Sequence, residues 1–560
     1  MMGTTVWKKG PELSGLVAKF ARLLARYPGE TGVHPRSFAR LLRPRQQRHD
    51  SAVVAIQSVA DRLYFLLFGA IGLRLAERCG VRVEAVMVRA LSGAVGAGWV
   101  AELKRAAPVI WLWSNAWVRA FGQAIDGVAY RSATWRYPFH DLADWLRAGR
   151  LWKQLREMEN PADFRVDGIQ VGDLLIDSYL RFRPSPEFNA QDSFTRRLIW
   201  QALHDIRLAA RYFRRTRPRW YVSSYATYLE HGIPLRVALR EGIEAWAFGS
   251  LNCFGKRLSL ADDGQARDFT GYRRDFDALD RQEERLAEAR RQLDVRLSGG
   301  IDAATGYMRQ SAYAGNAVQL PAGLSGAVVI FLHDFYDSVH VYPELIFNDF
   351  WDWVCFTIET LNAGGVRFFL KPHPNQISLS AEVLERLKDR YPGLLWLPAS
   401  ASNVQLASAG IACGITVFGT VAHEMAYMGV PSICCARHPH DQFDFCRTAK
   451  SKSEYREFLL SADVMPVSRE EMQRQALAFY YMHNLHGDAD ERALQRAFGE
   501  FWGICLRPDA EEAEILAKLH EITELPAFDQ FINGLAGKER SAVPDHRRVG
   551  LQVSEGKLIT

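Results

Sequence analysis

The sequence predicts an α/β protein with two tandem Rossmann-like domains facing a cleft, followed by a helical C-terminal region. From about residue 53, short apolar runs alternate with longer amphipathic patterns, which is typical of a mostly parallel sheet. This alternation stops in a charged helical stretch and a segment rich in Gly, Ala and Ser, and starts again near residue 325. Beyond residue 453 the apolar pattern is helical.

Individual elements follow from the same patterns. In the first half, "APVIWLW" (107–113) and "PRWYVSS" (218–224) predict strands, and the second of these opens a βαβ unit with "YLEHGIPLRVALREG" and "EAWAFGS". In the second half, "AVVIFLHDF", "VRFFLKPHP" and "PSICCA" predict strands separated by amphipathic helices. The resulting boundaries are 1–52 for a basic arm, 53–310 and 325–452 for the two α/β domains, 453–537 for C-terminal helices and 538–560 for a polar tail.

The composition of the chain limits the classes of protein to which it can belong. The chain has 560 residues, 48% hydrophobic and 24% charged, with a net charge of +5, too small an excess to indicate nucleic-acid binding. The eight cysteines have no CxxC spacing and several lie in apolar runs, which predicts buried, reduced thiols. We find no signal peptide and no apolar run long enough to span a bilayer, and so expect a soluble or peripheral cytoplasmic protein.

The first fifty residues are strongly basic, with ten lysines and arginines against three acidic residues. Such an arm suits an anionic membrane surface, where each well-placed cation contributes about 1 kcal/mol. A solvated terminus without a partner explains the same composition.

The stretch "RFFLKPHPNQ" places Lys371, His373 and Asn375 just past the end of a predicted strand. Pro372 and Pro374 hold this loop extended and remove two backbone donors, so side chains must do any binding. Lysine is a point charge for phosphate, and histidine can donate to a phosphate oxygen. The alternative is a turn whose Lys and His face water.

A second element, "GITVFGTVAHEMAYMGVP", places Gly419 and Thr420 where a strand turns into a helix. Free amides at a helix start form an anion site, and Glu424, one turn later, could accept from ribose hydroxyls. A threonine N-cap with a first-turn acid would look the same. Taken together, the two elements predict a pocket for a nucleotide monophosphate or diphosphate.

Other motifs are absent or weak. The chain has no GxxxxGK[ST] phosphate loop and no His/Cys cluster with zinc spacing, so we predict no metal site. We interpret "ARHPHDQFD" (436–444) as a substrate-facing loop or polar surface, and "SGAVGAG" (92–98) as a flexible connector.

"KPHP", followed some fifty residues later by "GTVAHEMAYMGVPSI", resembles the bacterial capsule polysaccharide biosynthesis proteins, among them the Kdo-transferase-like glycosyltransferases of the GT-B fold. "DGIQVGDLLIDSYLRF" and "SSYATYLEHGIPLRVALREGI" match the same pattern more loosely. The resemblance covers roughly residues 160–460. The second motif departs from the commoner Ser-Thr-Val-Gly wording by having Phe418-Gly419-Thr420-Val421.

The resemblance implies transfer of a sugar from a nucleotide-activated donor, such as a CMP-Kdo-like sugar, to a capsular or surface polysaccharide or its lipid-linked precursor. It implies no cofactor other than the donor substrate and no metal. Lys371, His373 and Thr420 would contact donor phosphate, and Glu424 would take the ribose. The basic arm would hold the protein at the inner face of the inner membrane.

The first domain should then bind the acceptor, and a general base must reach the acceptor hydroxyl. Candidates are Asp173, Asp177, Glu230, His231 and, at the end of the second domain's first strand, His333. Each could equally be a surface or capping residue. Two other functions stay open: a nucleotide-sugar epimerase or polyol-phosphate transferase of the same fold, and a non-catalytic capsule-assembly subunit.

Overall fold

A computed structural model describes residues 52–58, 62–87, 127–129 and 138–537, apart from gaps at 184, 251–252, 306–310, 312, 314, 316, 375–377, 463, 465 and 508. The predicted basic arm up to residue 51, the glycine-rich segment 92–98, the strand predicted at 107–113 and the polar tail 538–560 lie outside the described residues.

The first domain is built on a six-stranded sheet in the order β3-β2-β1-β6-β7-β8. Its strands are parallel except for β8, which pairs antiparallel with β7. A separate two-stranded hairpin, β4 and β5, precedes α3. The elements are β1 (Val53–Ser58), α1 (Arg62–Cys79), β2 (Arg82–Met87), β3 (Gly127–Ala129), α2 (Pro138–Arg156), β4 (Arg165–Val166), β5 (Ile169–Gln170), α3 (Gly172–Phe182), α4 (Ser193–Thr216), β6 (Trp220–Ser223), α5 (Tyr228–Arg240), β7 (Glu244–Ser250) and β8 (Cys253–Arg257).

The second domain is built on a five-stranded, fully parallel sheet in the order β10-β9-β11-β12-β13. Its helices include one charged helix, α7, that packs beside α13 through Leu286, Ala289 and Leu293. Hence α7 lies with the second sheet, although it precedes that sheet in the chain. The elements are α6 (Tyr272–Asp277), α7 (Gln282–Leu297), β9 (Val328–Phe331), α8 (Phe350–Ala363), β10 (Phe368–Lys371), α9 (Ser378–Arg390), α10 (Asn403–Ser408), β11 (Cys413–Ile415), α11 (Val421–Tyr427), β12 (Ser432–Cys434), β13 (Cys446–Thr448), α12 (Lys452–Leu460) and α13 (Arg469–Tyr480).

The last three helices return to the first domain. They pack with α1 against one face of the first sheet, where Val54 and Trp220 meet Phe498 and Phe528 in one apolar cluster. Because side chains alternate along a strand, the neighbouring Ala55 contributes to the cluster on the opposite face. The helices are α14 (Ala489–Leu506), α15 (Glu512–Glu524) and α16 (Pro526–Ala536).

The predicted fold class is confirmed: two parallel-sheet α/β domains and a helical C-terminal region. The predicted βαβ unit is present as β6, α5 and β7, with β6 and β7 parallel neighbours. The predicted domain boundaries remain predictions. Among the described residues, no helix combines the length and apolarity needed to cross a membrane.

Two features of this fold position the candidate site. Each parallel sheet has a topological switch point, where ligands of open α/β sheets bind: between β1 and β6 in the first sheet, and between β9 and β11 in the second. The segment 332–349, which we call the bridging loop, leaves the end of β9 and contacts the first domain before α8 begins. Ser338 Oγ lies 3.4 Å from Thr227 Oγ1 within that contact.

Candidate functional site

The switch point of the second sheet brings His333 against the loop that follows β11. Nε2 of His333 lies 2.9 Å from Oγ1 of Thr416 and 3.3 Å from the backbone nitrogen of Val417. Since a backbone amide only donates, Nε2 is an acceptor and the neutral ring carries its proton on Nδ1. Burial, and then the nearby His373, lower the pKa of His333 to about 3. His333 is therefore a neutral imidazole at the edge of the sheet where a ligand would bind.

Gly419 and Thr420 occupy the strand-to-helix turn, as predicted. The amide of Gly419 donates to Thr416 Oγ1 at 3.2 Å, and a Cβ at this glycine would lie 2.7 Å from the same oxygen. Only glycine fits there without displacing Thr416. Thr420 precedes α11, its side chain is exposed, and its hydroxyl makes no capping hydrogen bond. This arrangement leaves a polar, solvent-facing helix start at the switch point.

Lys371 and His373 lie at the end of β10, also as predicted, but neither side chain is fully exposed. The Lys371 side chain is buried and its Nζ donates to the carbonyl of Ala399 at 3.4 Å. Burial lowers the pKa of Lys371 to about 8, and burial also lowers the pKa of His373, which is half-buried. Asn375 lies outside the described residues. The phosphate role of these residues stays a prediction.

Glu424 lies in a buried network rather than on an open surface. Its carboxylate pairs with Nη2 of Arg296 at 2.8 Å and accepts from Nδ2 of Asn403 at 2.7 Å. The hydroxyl of Tyr313 donates to the same carboxylate. The side chain is 3% exposed, so three protein donors already occupy the carboxylate that we predicted to bind ribose. Its ribose role remains a prediction without support from these contacts.

The switch point of the first sheet holds a closed hydrogen-bonded cluster around Gln57. The amide of Ser224 donates to Gln57 Oε1 at 3.1 Å, which fixes the orientation of the Gln57 side chain. Its Nε2 then donates to Nδ1 of His231 at 2.7 Å, so the proton of the neutral His231 ring is on Nε2, 3.6 Å from the Glu230 carboxylate. Burial lowers the pKa of His231 to about 4. His231 and Glu230 thus form one cluster at the carboxyl edge of the sheet.

Asp173 and Asp177 lie one turn apart on α3 and have different partners. Asp173 forms a two-bond ion pair with Arg236, at 2.7 and 2.6 Å, and Arg236 also pairs with Asp263 at 2.6 Å. Burial opposes ionisation, but the guanidinium outweighs it and lowers the pKa of Asp173. These contacts give Asp173 a structural role in joining α3 to α5.

Asp177 instead reaches across the domain boundary to the bridging loop. Its Oδ1 accepts from Nδ1 of His340 at 2.8 Å and lies 3.3 Å from the backbone amide of the same residue. Burial disfavours the imidazolium, but the Asp177 carboxylate outweighs it and raises the pKa of His340. Nε2 of His340 is buried and has no hydrogen-bond partner. A carboxylate that orients an imidazole whose other nitrogen is unoccupied is an arrangement suited to general-base chemistry.

The structure therefore divides the predicted residues into groups. The second switch point brings together His333, Gly419 and Thr420. The first switch point brings together Glu230 and His231, and Asp177 lies between the domains. Sequence reasoning missed Thr416, Gln57 and His340. A histidine in the polar segment "DSVHVYPE" after a predicted strand was the available signal for His340, but its partner is 163 residues away.

Within the described residues, one group of at least three possible metal ligands comes together: Cys434, His438 and Cys446, all buried. The amide of His440 donates to Nδ1 of His438 at 3.1 Å, which places the ring proton on Nε2, the nitrogen that faces Cys446 at 4.0 Å. A metal ion at this group would therefore have to displace the proton on Nε2. The interpretation of the HPHD stretch as polar surface is wrong, because His438 and His440 are 0% and 1% exposed. The two rings contact one another, and His440 also contacts the ring of Phe479.

No protein-family model matches the chain, and no curated protein matches it. Solved structures with a similar architecture include KpsC of Thermosulfurimonas dismutans, a β-Kdo 2,4 transferase, with 14% identity and a TM-score of 0.28 over 46% of this chain and 79% of that one. MurG of Acinetobacter baumannii has 10% identity and a TM-score of 0.24, over 77% and 94%. UDP-GlcNAc 2-epimerase of Neisseria meningitidis has 7% identity and a TM-score of 0.21, over 76% and 97%. The assignment of the fold rests on the two sheets of this chain.

Proposed function

We propose that this protein is a glycosyltransferase that takes a sugar from a nucleotide-activated donor bound at the switch point of the second sheet. The observation that carries the proposal is the arrangement of three residues at that edge. His333 is neutral, Gly419 has no room for a side chain unless Thr416 moves, and Thr420 is exposed at a helix start. Clefts between domains and switch points of parallel sheets are where such ligands bind. Amides and hydroxyls there are suited to donor phosphate oxygens.

The test is a thermal-shift panel with CMP, CDP, UDP, GDP and dTDP on the wild type, His373→Ala and the control His520→Ala. His520 is 77% exposed and lies on α15, away from the second sheet. One nucleotide at a hundred times its dissociation constant should stabilise the wild type and the control by about 2.7 kcal/mol, and His373→Ala less. If no nucleotide shifts the wild type, or if His373→Ala responds like the control, the donor site is not where we place it.

The finer assignment rests on the sequence resemblance of residues 160–460 to capsule polysaccharide biosynthesis proteins. On that basis the donor is a CMP-Kdo-like sugar, and the acceptor is a capsular or surface polysaccharide or its lipid-linked precursor. A response to CMP alone in the nucleotide panel would support this donor class. A cytoplasmic location, with peripheral contact to the inner face of the inner membrane, belongs to the same proposal.

For catalysis we assign the general base to His340. Asp177 holds the proton of the neutral ring on Nδ1, so Nε2 presents a lone pair that can take the proton of the acceptor hydroxyl. The acceptor oxygen then attacks the anomeric carbon of the donor, and the bond to the nucleotide phosphate breaks. Lys371, His373 and the helix-start amides stabilise the charge of the leaving nucleotide. Because the His340 side chain is only 8% exposed, the two domains must part to admit the acceptor.

The variants His340→Ala and Asp177→Asn test this assignment in a transfer assay with the donor identified by the nucleotide panel. Loss of a positioned base should lower kcat by about 10²- to 10⁴-fold while the nucleotide-induced thermal shift persists. Asp173→Asn, one turn away on the same helix, is the matched control: it should lower stability through Arg236 and leave kcat near the wild-type value. Near-full turnover in His340→Ala would remove this residue from the mechanism.

A further inference from the structure

A cavity of about 680 Å³ in the first domain is lined mainly by arginines. Six arginines face it against two aspartates, and Leu203, Ile206 and Ala210 of α4 form its apolar floor. The arginines are Arg147, Arg207, Arg211, Arg214, Arg215 and Arg240. So dense a positive surface indicates an anionic ligand.

The cavity lies at the amino edge of the first sheet, opposite the carboxyl edge that belongs to the candidate active site. Helix α4 ends at Thr216, directly before β6 begins, and α5 ends at Arg240, directly before β7 begins. The lining residues Arg214, Arg215 and Arg240 are therefore at the amino edge of the parallel strands. The candidate site residues lie at the carboxyl edges, so this cavity is a separate site, and the inference drawn from it does not depend on the proposed function.

Local pairing leaves an excess of positive charge. Arg147 donates to Asp167 at 3.1 Å, Arg207 pairs with Asp144, and Arg214 pairs with Glu241 at 2.8 Å. Cations in the last turn of a helix also complement its dipole, which accounts for Arg214, Arg215 and Arg240. The three carboxylates in these pairs, those of Asp144, Asp167 and Glu241, do not balance the charge of six arginines.

An independent feature adjoins the cavity. Helix α2, which contributes Arg147 to the lining, also carries Leu142, Trp145 and Leu146, which are 61%, 38% and 62% exposed. Spacings of three and four residues place these side chains on one helix face. Exposed leucines and a tryptophan beside a cluster of arginines are typical of a surface that meets a membrane interface.

We propose that this surface docks the protein on an anionic lipid bilayer. The arginines bind the headgroup phosphates, for which the guanidinium fork is suited, and Leu142, Trp145 and Leu146 enter the headgroup boundary. The apolar stripe favours a bilayer over a soluble anion, because a soluble anion would leave it exposed to water.

The test is co-sedimentation of the full chain with vesicles of phosphatidylcholine, alone or mixed with phosphatidylglycerol. The double variant Arg211→Glu/Arg215→Glu is compared with Arg291→Glu/Arg456→Glu, which makes the same charge change at exposed positions on α7 and α12. At about 1 kcal/mol per cation, the first variant should bind the anionic vesicles at least roughly tenfold more weakly than the second. Leu146→Ser should also weaken binding, and this loss should persist at high salt, where headgroup attraction is screened.

Two results would overturn the proposal. If both double variants bind alike, the cavity is not the docking surface and net charge or another segment explains any vesicle binding. If the arginine variant loses binding while Leu142→Ser/Leu146→Ser binds like the wild type, the apolar stripe does not enter the headgroup boundary, and the proposed docking surface reduces to an anion site. Circular dichroism of each variant checks that the fold is retained.

Discussion

The carboxyl edges of the two sheets each present a partly buried, neutral histidine at a switch point, but they differ in what surrounds it. In the first sheet, Gln57 links His231 to the end of β6, and the cluster is closed by side chains. In the second, His333 accepts from the loop after β11, and the next turn exposes Thr420. At the first edge these polar side chains bond to one another, whereas the second edge leaves a polar helix start toward solvent.

The difference teaches that a histidine at a strand end is not by itself a sign of a binding site. His231 and His333 both have lowered pKa values because desolvation disfavours the imidazolium form of each ring. Two features distinguish the second edge. The backbone at Gly419 approaches the side chain of Thr416 so closely that a Cβ would lie 2.7 Å from its hydroxyl oxygen, and the hydroxyl of Thr420 makes no capping hydrogen bond. Local backbone geometry, rather than residue type, is therefore the reason that we propose the second edge, and not the first, as the donor site.

The largest effect on stability should come from Glu424→Gln, at the second edge. Removing one partner of this buried ion pair leaves Arg296 only the more distant carboxylate of Asp302, 3.8 Å away, and such a loss costs on the order of 3 kcal/mol. Urea unfolding measures this change. Glu241→Gln is the control, because its partner Arg214 is 60% exposed and such a pair contributes about 1 kcal/mol or less. Equal losses in both variants would mean that the Glu424 network does not stabilise the second domain.

The histidines give a smaller effect that depends on pH. The folded-state pKa values of His231 and His333, about 4 and about 3, lie below the value of about 6.5 expected in the unfolded chain. As the pH falls, the unfolded chain therefore binds protons at these two histidines before the folded chain does. The free energy of unfolding is at its full value above pH 6.5 and decreases as the pH falls toward 4. We expect the free energy of unfolding to fall less steeply over this window in His231→Gln than in the wild type. In the control His520→Gln, where the ring is exposed, the slope should match the wild type; a matching slope in His231→Gln would contradict the assignment.

The smallest effect on stability should come from Thr420→Ala. Because the hydroxyl makes no capping hydrogen bond, the usual loss of about 1 kcal/mol for an N-cap should be absent. Affinity for the nucleotide should fall if this hydroxyl contacts phosphate. Ser451→Ala, which removes a hydroxyl that accepts from Glu454 at 3.2 Å, is the matched control and should lower the melting temperature without changing affinity. An unchanged affinity in Thr420→Ala would leave the threonine without a role at the second edge.

The fold was predictable because its signals are local. The strand "WYVS" is apolar throughout, as expected for a parallel strand covered on both faces, and α4 has one apolar face that the structure buries. The return of α14–α16 to the first domain was not predictable, because an amphipathic pattern shows that a helix buries one face without showing which partner covers it.

The candidate site was predictable only in part. Loops after strands gather at one edge of a parallel sheet, so Gly419, Thr420 and His333 could be placed together from the sequence. The partners of Glu424 and Asp177 could not, because Arg296 and His340 lie 128 and 163 residues away along the chain. Whether a carboxylate contacts a ligand or forms an internal ion pair depends on how deeply it is buried, and residue type alone does not reveal that burial.

The crossing of α14–α16 back to the first sheet has a consequence for the order in which the molecule can be assembled. Strand β1 leaves the ribosome early, but one face of its sheet is covered by Phe498, Phe528 and Ile532 from the end of the chain. During synthesis the second domain can complete its core while the first still exposes Val54 and Trp220. We therefore expect the first domain to finish folding last, and a chain stopped before residue 489 would leave in water the part of that face that α1 does not cover.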